Sequence, residues 1–336
     1  MALRWGICST GKICNDFCSA VKTLPESEHQ IVSVVSRTSE RAKEFAARFG
    51  ISMTYSSYEE FAKDPNIDVV YIGSITQEHI RLCLLMLNAG KHVLCEKPLT
   101  LTTKYTKMLN AVAKEKNVFF MEAVWGRCFP VYKKIKESIA NGDIGEVHMV
   151  RASFNVPLQY STLPPLSSSS SSVPGMLHDI GLYTIQFVLF VYGEMPTSIT
   201  AVGDVLDNGY DVDGCIIFTF SKGQKACCMY SSKVAMEGNS ACIYGTKGCI
   251  EIEDTFWAPK EVTLPSGKFT NELPEGPVPF ILPNSSGLRY EAMEVRKCVQ
   301  EGLTECSEFT HKDSEMMHSI MDEVAKQIGT DLQEHE

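Results

Sequence analysis

No two of the thirteen cysteines stand as a Cys-x-x-Cys pair, so the spacing that builds compact zinc sites is missing. No apolar run spans a bilayer either: the longest, "IGLYTIQFVLFVYG", is interrupted and falls short of the roughly 20 residues required. The opening "MALRWGICS" lacks a basic stretch leading into a long apolar one, and "TDLQEHE" carries no lipidation or retention motif. These absences predict a cytoplasmic protein with reduced thiols, most of them small core residues. Positive charge is scarce: 31 Lys+Arg against 41 Asp+Glu leave a net charge of −10. That balance argues against a broad surface for nucleic acid or anionic membrane.

What is present is a soluble globular composition, 44% hydrophobic and 21% charged over 336 residues, long enough for two domains. Up to about residue 122, strand and helix patterns alternate: "LRWGICS", "QIVSVVS", "DVVYIGS", "HVLCE" and "VFFME" read as strands. The segments between them read as helices, among them "SERAKEFAARFG" closed by Gly50 and "SSYEEFAKD" opened by Ser57. Such alternation predicts a parallel sheet with right-handed crossovers. From residue 123 to 336 the period changes. Six strands, "EVHMVRASF" to "CIEIED", with hairpin turns at "SKGQ" and "GTKG", predict an α+β domain with a large, mainly antiparallel open sheet. One strong helix, "DIGLYTIQFVLFVYG", precedes most of these strands. "LPPLSSSSSSVPG", residues 163–175, reads as a flexible loop just ahead of that helix.

Five stretches carry candidate chemistry. In "WGICSTGKI", Gly6 and Gly11 suit a dinucleotide turn, with Ser9 at the place of a middle glycine and the following helix N-terminus offered to a pyrophosphate. The second strand ends in Ser36, Arg37 and Thr38, with no carboxylate to bond a ribose 2′-hydroxyl. Arg37 can fork onto a 2′-phosphate, which favours NADP, or it is simply a solvated residue opening a helix. Tyr71 and His79 flank the next strand end, where ligands gather in an open parallel sheet. At "CEKP", Pro98 holds Lys97 extended, and a cis bond is compatible with the pattern. Glu96 and Lys97 are then either a solvated ion pair or part of a site. Asp179 and Tyr183, at i and i+4, share one face of the strong helix.

Together, "GICSTGKI", "EHIRLCLLMLNAGKHVLCEKP", "GMLHDIGLY" and "YGTKGCIEI" resemble the glucose–fructose oxidoreductase/inositol dehydrogenase family over nearly the whole chain. "MALRWGI", "YEEFAKDPNIDVVYIG" and "MEAVWGRCFP" are similar to its branch of dimeric enzymes acting on arene trans-dihydrodiols and D-xylose. The resemblance implies an NADP-dependent oxidoreductase moving a hydride between a secondary alcohol and the nicotinamide, with no metal in the reaction. It implies Tyr183 as acid/base, with Tyr71, His79, Lys97 and Asp179 placing cofactor or substrate and Glu96 a cofactor-side neighbour. Trp125 and Phe154 become walls for a ring-bearing substrate, although both also read as ordinary core aromatics. His148 occupies a substrate position at which that branch carries arginine, and the serine run replaces a richer loop. A homodimer through the free face of the second sheet is implied as well. These departures leave open an alternative, an NADP-binding sensor or scaffold with little or no turnover.

Overall fold

The computed structural model describes residues 1–160 and 174–330. The serine run 167–172 lies outside the described residues. The chain opens β1 (Leu3–Cys8), α1 (Lys12–Val21), β2 (His29–Val35), α2 (Ser39–Phe49), β3 (Met53–Tyr55) and α3 (Tyr58–Lys63). It continues β4 (Val69–Ile72), α4 (His79–Asn88), β5 (His92–Glu96), α5 (Thr103–Lys116) and β6 (Phe120–Ala123). The six strands form one parallel sheet in the order β3-β2-β1-β4-β5-β6, the doubly wound order of dinucleotide-binding domains. Both faces are covered. Val69 and Tyr71 of β4 join one apolar core while Val70 and Ile72 join the other, and for this reason the strand reads as an unbroken apolar run.

Helix ends follow their local chemistry. Thr38 and Ser57 accept hydrogen bonds from the backbone N–H groups of Arg41 and Glu60, and Gly50 closes α2 at φ 65°. The peptide between Lys97 and Pro98 is cis.

The second part runs α6 (Pro130–Ala140), β7 (Val147–Asn155), a π-helical turn (Leu177–Gly181), α7 (Leu182–Tyr192), β8 (Ser198–Val205), β9 (Asp211–Thr219) and β10 (Lys225–Ser231). It ends with β11 (Ala241–Gly245), β12 (Cys249–Ile252), β13 (Glu261–Leu264), β14 (Gly267–Thr270), α8 (Leu288–Gln300) and α9 (His311–Ile328). Its eight strands are ordered β14-β13-β12-β11-β7-β10-β9-β8, antiparallel except for β7 beside β10. Ala226, Cys228 and Tyr230 of β10 are buried against the helices, while Lys225 and Met229 leave on the opposite, open face. The elements read from the sequence omit β3, α6, β13 and β14. The last two are four-residue strands in a polar setting, too short to show a period.

After β14 the chain returns to the first domain. Ile281 and Leu282 donate backbone N–H bonds to Asp16 on α1, and the N–H of Phe120 on β6 donates to the carbonyl of Thr304. Glu122 on β6 is buried with His318 of α9 at 3.2 Å, and it also accepts from Ser314. Burial alone raises a carboxyl pKa; here His318, Ser314 and the N–H of Leu99 outweigh it and hold Glu122 below its ordinary value.

Glu291 on α8 is the opposite case. It is fully buried and neither oxygen has a hydrogen-bond partner among the described residues. Burial first, then the neighbouring Glu96, push its carboxyl well up. The folded chain therefore keeps this proton while the unfolded chain releases it above about pH 4.3. Stability associated with Glu291 is full below that pH and is lost as pH rises, by up to about 1.4 kcal/mol per unit. Glu291→Met should raise the melting temperature, with a larger gain at pH 8 than at pH 5 in calorimetry. An equal gain at both would mean that Glu291 is ionised in the folded protein.

Candidate active site

The turn after β1 builds an anion cradle. Ser9 has a left-handed φ of 110°, a conformation that favours glycine, and its N–H bonds the carbonyl of Val35 at 3.0 Å. Gly11 is the N-cap of α1 and supplies no side-chain cap, so the first-turn N–H groups and the positive dipole end face outward. The turn is close-packed behind: a Cβ on Gly73 would lie 2.5 Å from Cys14 Sγ. Gly73 was missed in the sequence, where it reads as an ordinary strand end. Gly6 is corrected. It lies inside β1, where a Cβ would meet Phe61 at 2.6 Å and Ile67 at 2.9 Å, so it serves packing and not phosphate contact.

At the tip of β2, Ser36 is buried, with its Oγ 3.4 Å from Thr10 Oγ1 of the cradle. Arg37 and Thr38 are exposed, and the Thr38 oxygen is engaged in capping α2. A nucleotide phosphate fits this set of donors. The N-terminus of α1, Thr10 and Ser36 would hold a pyrophosphate.

The β4 and β5 ends carry two further corrections. Tyr71 does not line the crevice: it is fully buried, stacked on Phe17 at 3.7 Å, and donates to Glu96 Oε1 at 2.6 Å. Glu96 also accepts from the N–H of Lys97 at 3.2 Å, and burial raises its carboxyl. His79 is buried too. Its Nδ1 lies 3.0 Å from the carbonyl of Pro98 and its Nε2 3.2 Å from that of Ser74. Burial lowers its pKa despite those carbonyls. With both nitrogens engaged by backbone, His79 clamps the loop that carries Lys97 rather than reaching a ligand.

Lys97 crosses to the second domain. Its Nζ donates to the backbone oxygen of Asp179 at 2.8 Å and to Oδ1 at 3.2 Å. Asp179 lies in the π-helical turn that leads into α7. Tyr183 begins α7, and the Lys97 ammonium sits 5.0 Å from its ring centre. The pairing of Asp179 and Tyr183 is thus realised through Lys97. Burial disfavours the ammonium, but Tyr183, Asp179 and Glu96 together hold its pKa above the ordinary value.

Around the phenol stands an aromatic wall. Trp125 Nε1 donates to Tyr183 Oη at 3.0 Å. Phe154 lies 5.7 Å from the Tyr183 ring and stacks on Trp257 at 3.7 Å. Trp125, Phe154, Tyr183 and Trp257 each keep only 4–6% exposure. Trp257 was missed because "FWAP" is a loop with no period. His148 is corrected: it is exposed at the start of β7, 4.0 Å from Glu146. Six residues of strand, about 20 Å, separate it from Phe154, so it does not join the site.

Asp211 was missed as well. Its carboxylate accepts the Leu177 N–H at 2.6 Å and occupies the place a Gly175 side chain would need. It therefore anchors the turn that presents Asp179, while burial pushes its pKa up to about 7.

The Tyr183 phenol is pushed up to about 12, because burial outweighs the nearby Lys97 cation and the Trp125 hydrogen bond. Lys97 pulls it down, but by less than the desolvation raises it. A neutral phenol beside a fixed ammonium can deliver a proton to a substrate oxygen.

Comparisons with known proteins agree with this arrangement. Residues 3–124 match the family model described as "Oxidoreductase family, NAD-binding Rossmann fold", and residues 132–251 match "GFO/IDH/MocA C-terminal domain". A trans-1,2-dihydrobenzene-1,2-diol dehydrogenase from Danio rerio is 43% identical over 331 residues, covering 98% of each chain. One from Bos taurus is 38% identical over 335 residues, again covering 98% of each chain. Among solved structures, levoglucosan dehydrogenase with NADH and levoglucosan has a TM-score of 0.83 at 23% identity, covering 98% of both chains. A 3-ketoreductase from Actinomadura kijaniata with NADP has a TM-score of 0.78 at 24% identity and the same coverage. The two-domain sheet architecture thus agrees with full-length sequence similarity: the chain belongs to the GFO/IDH/MocA oxidoreductase family.

Proposed function

We propose that the protein is an NADP-dependent dehydrogenase for secondary alcohols, with trans-dihydrodiols of arenes as first substrates and aldoses such as D-xylose as second. The observation that carries this reading is the convergence of Lys97, Asp179 and Tyr183 beside an aromatic wall. The names of the relatives support the dihydrodiol, and the flat Phe154–Trp257 stack suits a planar ring. NADP supplies the hydride acceptor. Trp125 donates into the Tyr183 oxygen, which leaves the phenolic O–H to face the substrate oxygen. In reduction Tyr183 gives up that proton. In oxidation its phenolate receives one, and the Lys97 charge stabilises the anion while it lasts.

The open face of the second sheet exposes Met149, Val202, Ile217 and Met229, which supports a homodimer through that face. All thirteen cysteines are free thiols, which supports work in the reducing cytoplasm. Among the described residues, no helix is long and apolar enough to cross a membrane.

Two measurements test the reading. With the phenol near 12, the phenolate fraction grows tenfold per pH unit below that value. The oxidation rate constant should therefore climb with a slope of about 1 per unit from pH 7 to 10, while reduction stays flat. Tyr183→Phe should remove the slope and lower kcat by roughly 10²–10⁴-fold with NADP affinity kept. Steady-state kinetics on a trans-dihydrodiol at parent rates in this variant would move the acid/base role elsewhere.

Cofactor choice is read at Arg37. Arg37→Ala should weaken NADP about ten- to a hundredfold and leave NAD nearly unchanged in fluorescence titration. Equal weakening of both would sink the 2′-phosphate assignment.

A further inference from the structure

On the open face of the second sheet, the β11–β12 hairpin brings together three groups that no local spacing in the sequence announces. Cys242 lies opposite Glu251, and Tyr244 opposite Cys249, so Cys242, Cys249 and Glu251 all leave the same face. Cys242 Sγ and Cys249 Sγ are each 3.7 Å from Glu251 Oε1. The three ligand atoms lie within 4.8 Å of one another. We propose that this cluster is a binding site for a borderline-soft divalent cation of the zinc type, held by two thiolates and one carboxylate with water in the fourth position.

The dimensions suit that ion. Zinc–sulfur bonds of about 2.3 Å and zinc–oxygen bonds of about 2.0–2.2 Å at tetrahedral angles place sulfur and oxygen roughly 3.5–3.7 Å apart. The observed edges therefore need little adjustment. Thiolates exclude magnesium and calcium, which take oxygen donors. In the single chain Cys242 is buried, Cys249 half-buried and Glu251 exposed, so the carboxylate stands outermost of the three.

Charge also balances. Two thiolates, one carboxylate and a divalent cation sum to −1. Arg151 on β7 is in register with Cys242 on the same face and supplies the compensating positive charge. Each metal–sulfur bond that forms replaces a sulfur–hydrogen bond, and its proton passes to solvent. The sequence reading found no zinc spacing because six residues separate Cys242 from Cys249, and only the hairpin brings their side chains together.

The probe is cobalt(II), titrated anaerobically into the full-length reduced protein and then displaced with zinc(II). The expected result is one cobalt per chain with thiolate charge-transfer absorption and the visible bands of a tetrahedral centre. Cys249→Ser, at a half-buried position that tolerates change, should weaken cobalt binding roughly tenfold or more and reduce the charge-transfer intensity. Glu251→Gln should weaken binding while keeping that absorption. Cys215→Ser, on the same face but outside the cluster, should change nothing. Circular dichroism checks that each variant is folded. No tetrahedral thiolate spectrum at saturating cobalt overturns the site. So does an unchanged spectrum and affinity in Cys249→Ser, because the metal would then sit on other cysteines.

Discussion

The contact between Lys97 and Asp179 is the constraint on which the rest of the site depends. Lys97 stands at the end of a strand in the first sheet, and Asp179 lies in the turn before α7 in the second domain. Both are largely removed from water, so leaving either alone would strand a buried charge at a cost of about 3–5 kcal/mol. Each side is held from behind. On the Lys97 side, His79 binds the carbonyls of Pro98 and Leu99, and Glu122 accepts the N–H of Leu99. Glu122 is itself locked to α9 through His318 and Ser314. On the Asp179 side, Asp211 receives the N–H of Leu177. The two domains therefore meet through groups whose partners are fixed before any ligand arrives, which lowers the ordering cost of binding.

Much of the fold could be read in the sequence because it follows local rules. The parallel sheet announced itself through β-branched runs such as "QIVSVVS", and the β4 run "DVVYIGS" is apolar because alternate residues feed two separate cores. Helix stops at Gly50 and starts at Ser57 rest on cap chemistry that acts over four residues. What escaped was set by distance. The β13–β14 hairpin has a neutral local pattern and exists because β12 offers it an edge. The return of the chain to α1 and β6 depends on Asp16 and Thr304 finding partners far away in sequence, which no window of residues reports.

The site divides along the same line. Lys97 and Asp179 stood out because a charged residue pinned before proline and an acid in an apolar helix are locally odd. Tyr71 and His79 sat at equally suggestive places, yet both turned inward, Tyr71 to stack on Phe17 and His79 to bind backbone. A strand end fixes where a residue begins, whereas the side chain's direction is decided by which neighbour has an empty volume or an unpaired carbonyl. Trp257 and Asp211 failed in the other sense. They lie in a loop and at a strand start with no period, and their importance comes from contacts with Phe154 and Leu177.

The energetics of the phenol follow from this construction. To bring Tyr183 under Trp125 and beside Phe154, the fold removes it from water, and that removal raises the phenol further than Lys97 lowers it. In the proposed reaction the same enclosure would bias the proton toward the enzyme. Lys97 limits that bias rather than reversing it, because its own charge is shared with the oxygens of Asp179 and with Glu96 behind it. A lysine with no such partners would pull harder on the phenol, but it would also be free to lose its proton in a buried setting. In the reaction proposed for this site, holding Lys97 charged and Tyr183 neutral would separate the two roles: one residue would keep a fixed charge at the reacting oxygen, and the other would carry the movable proton.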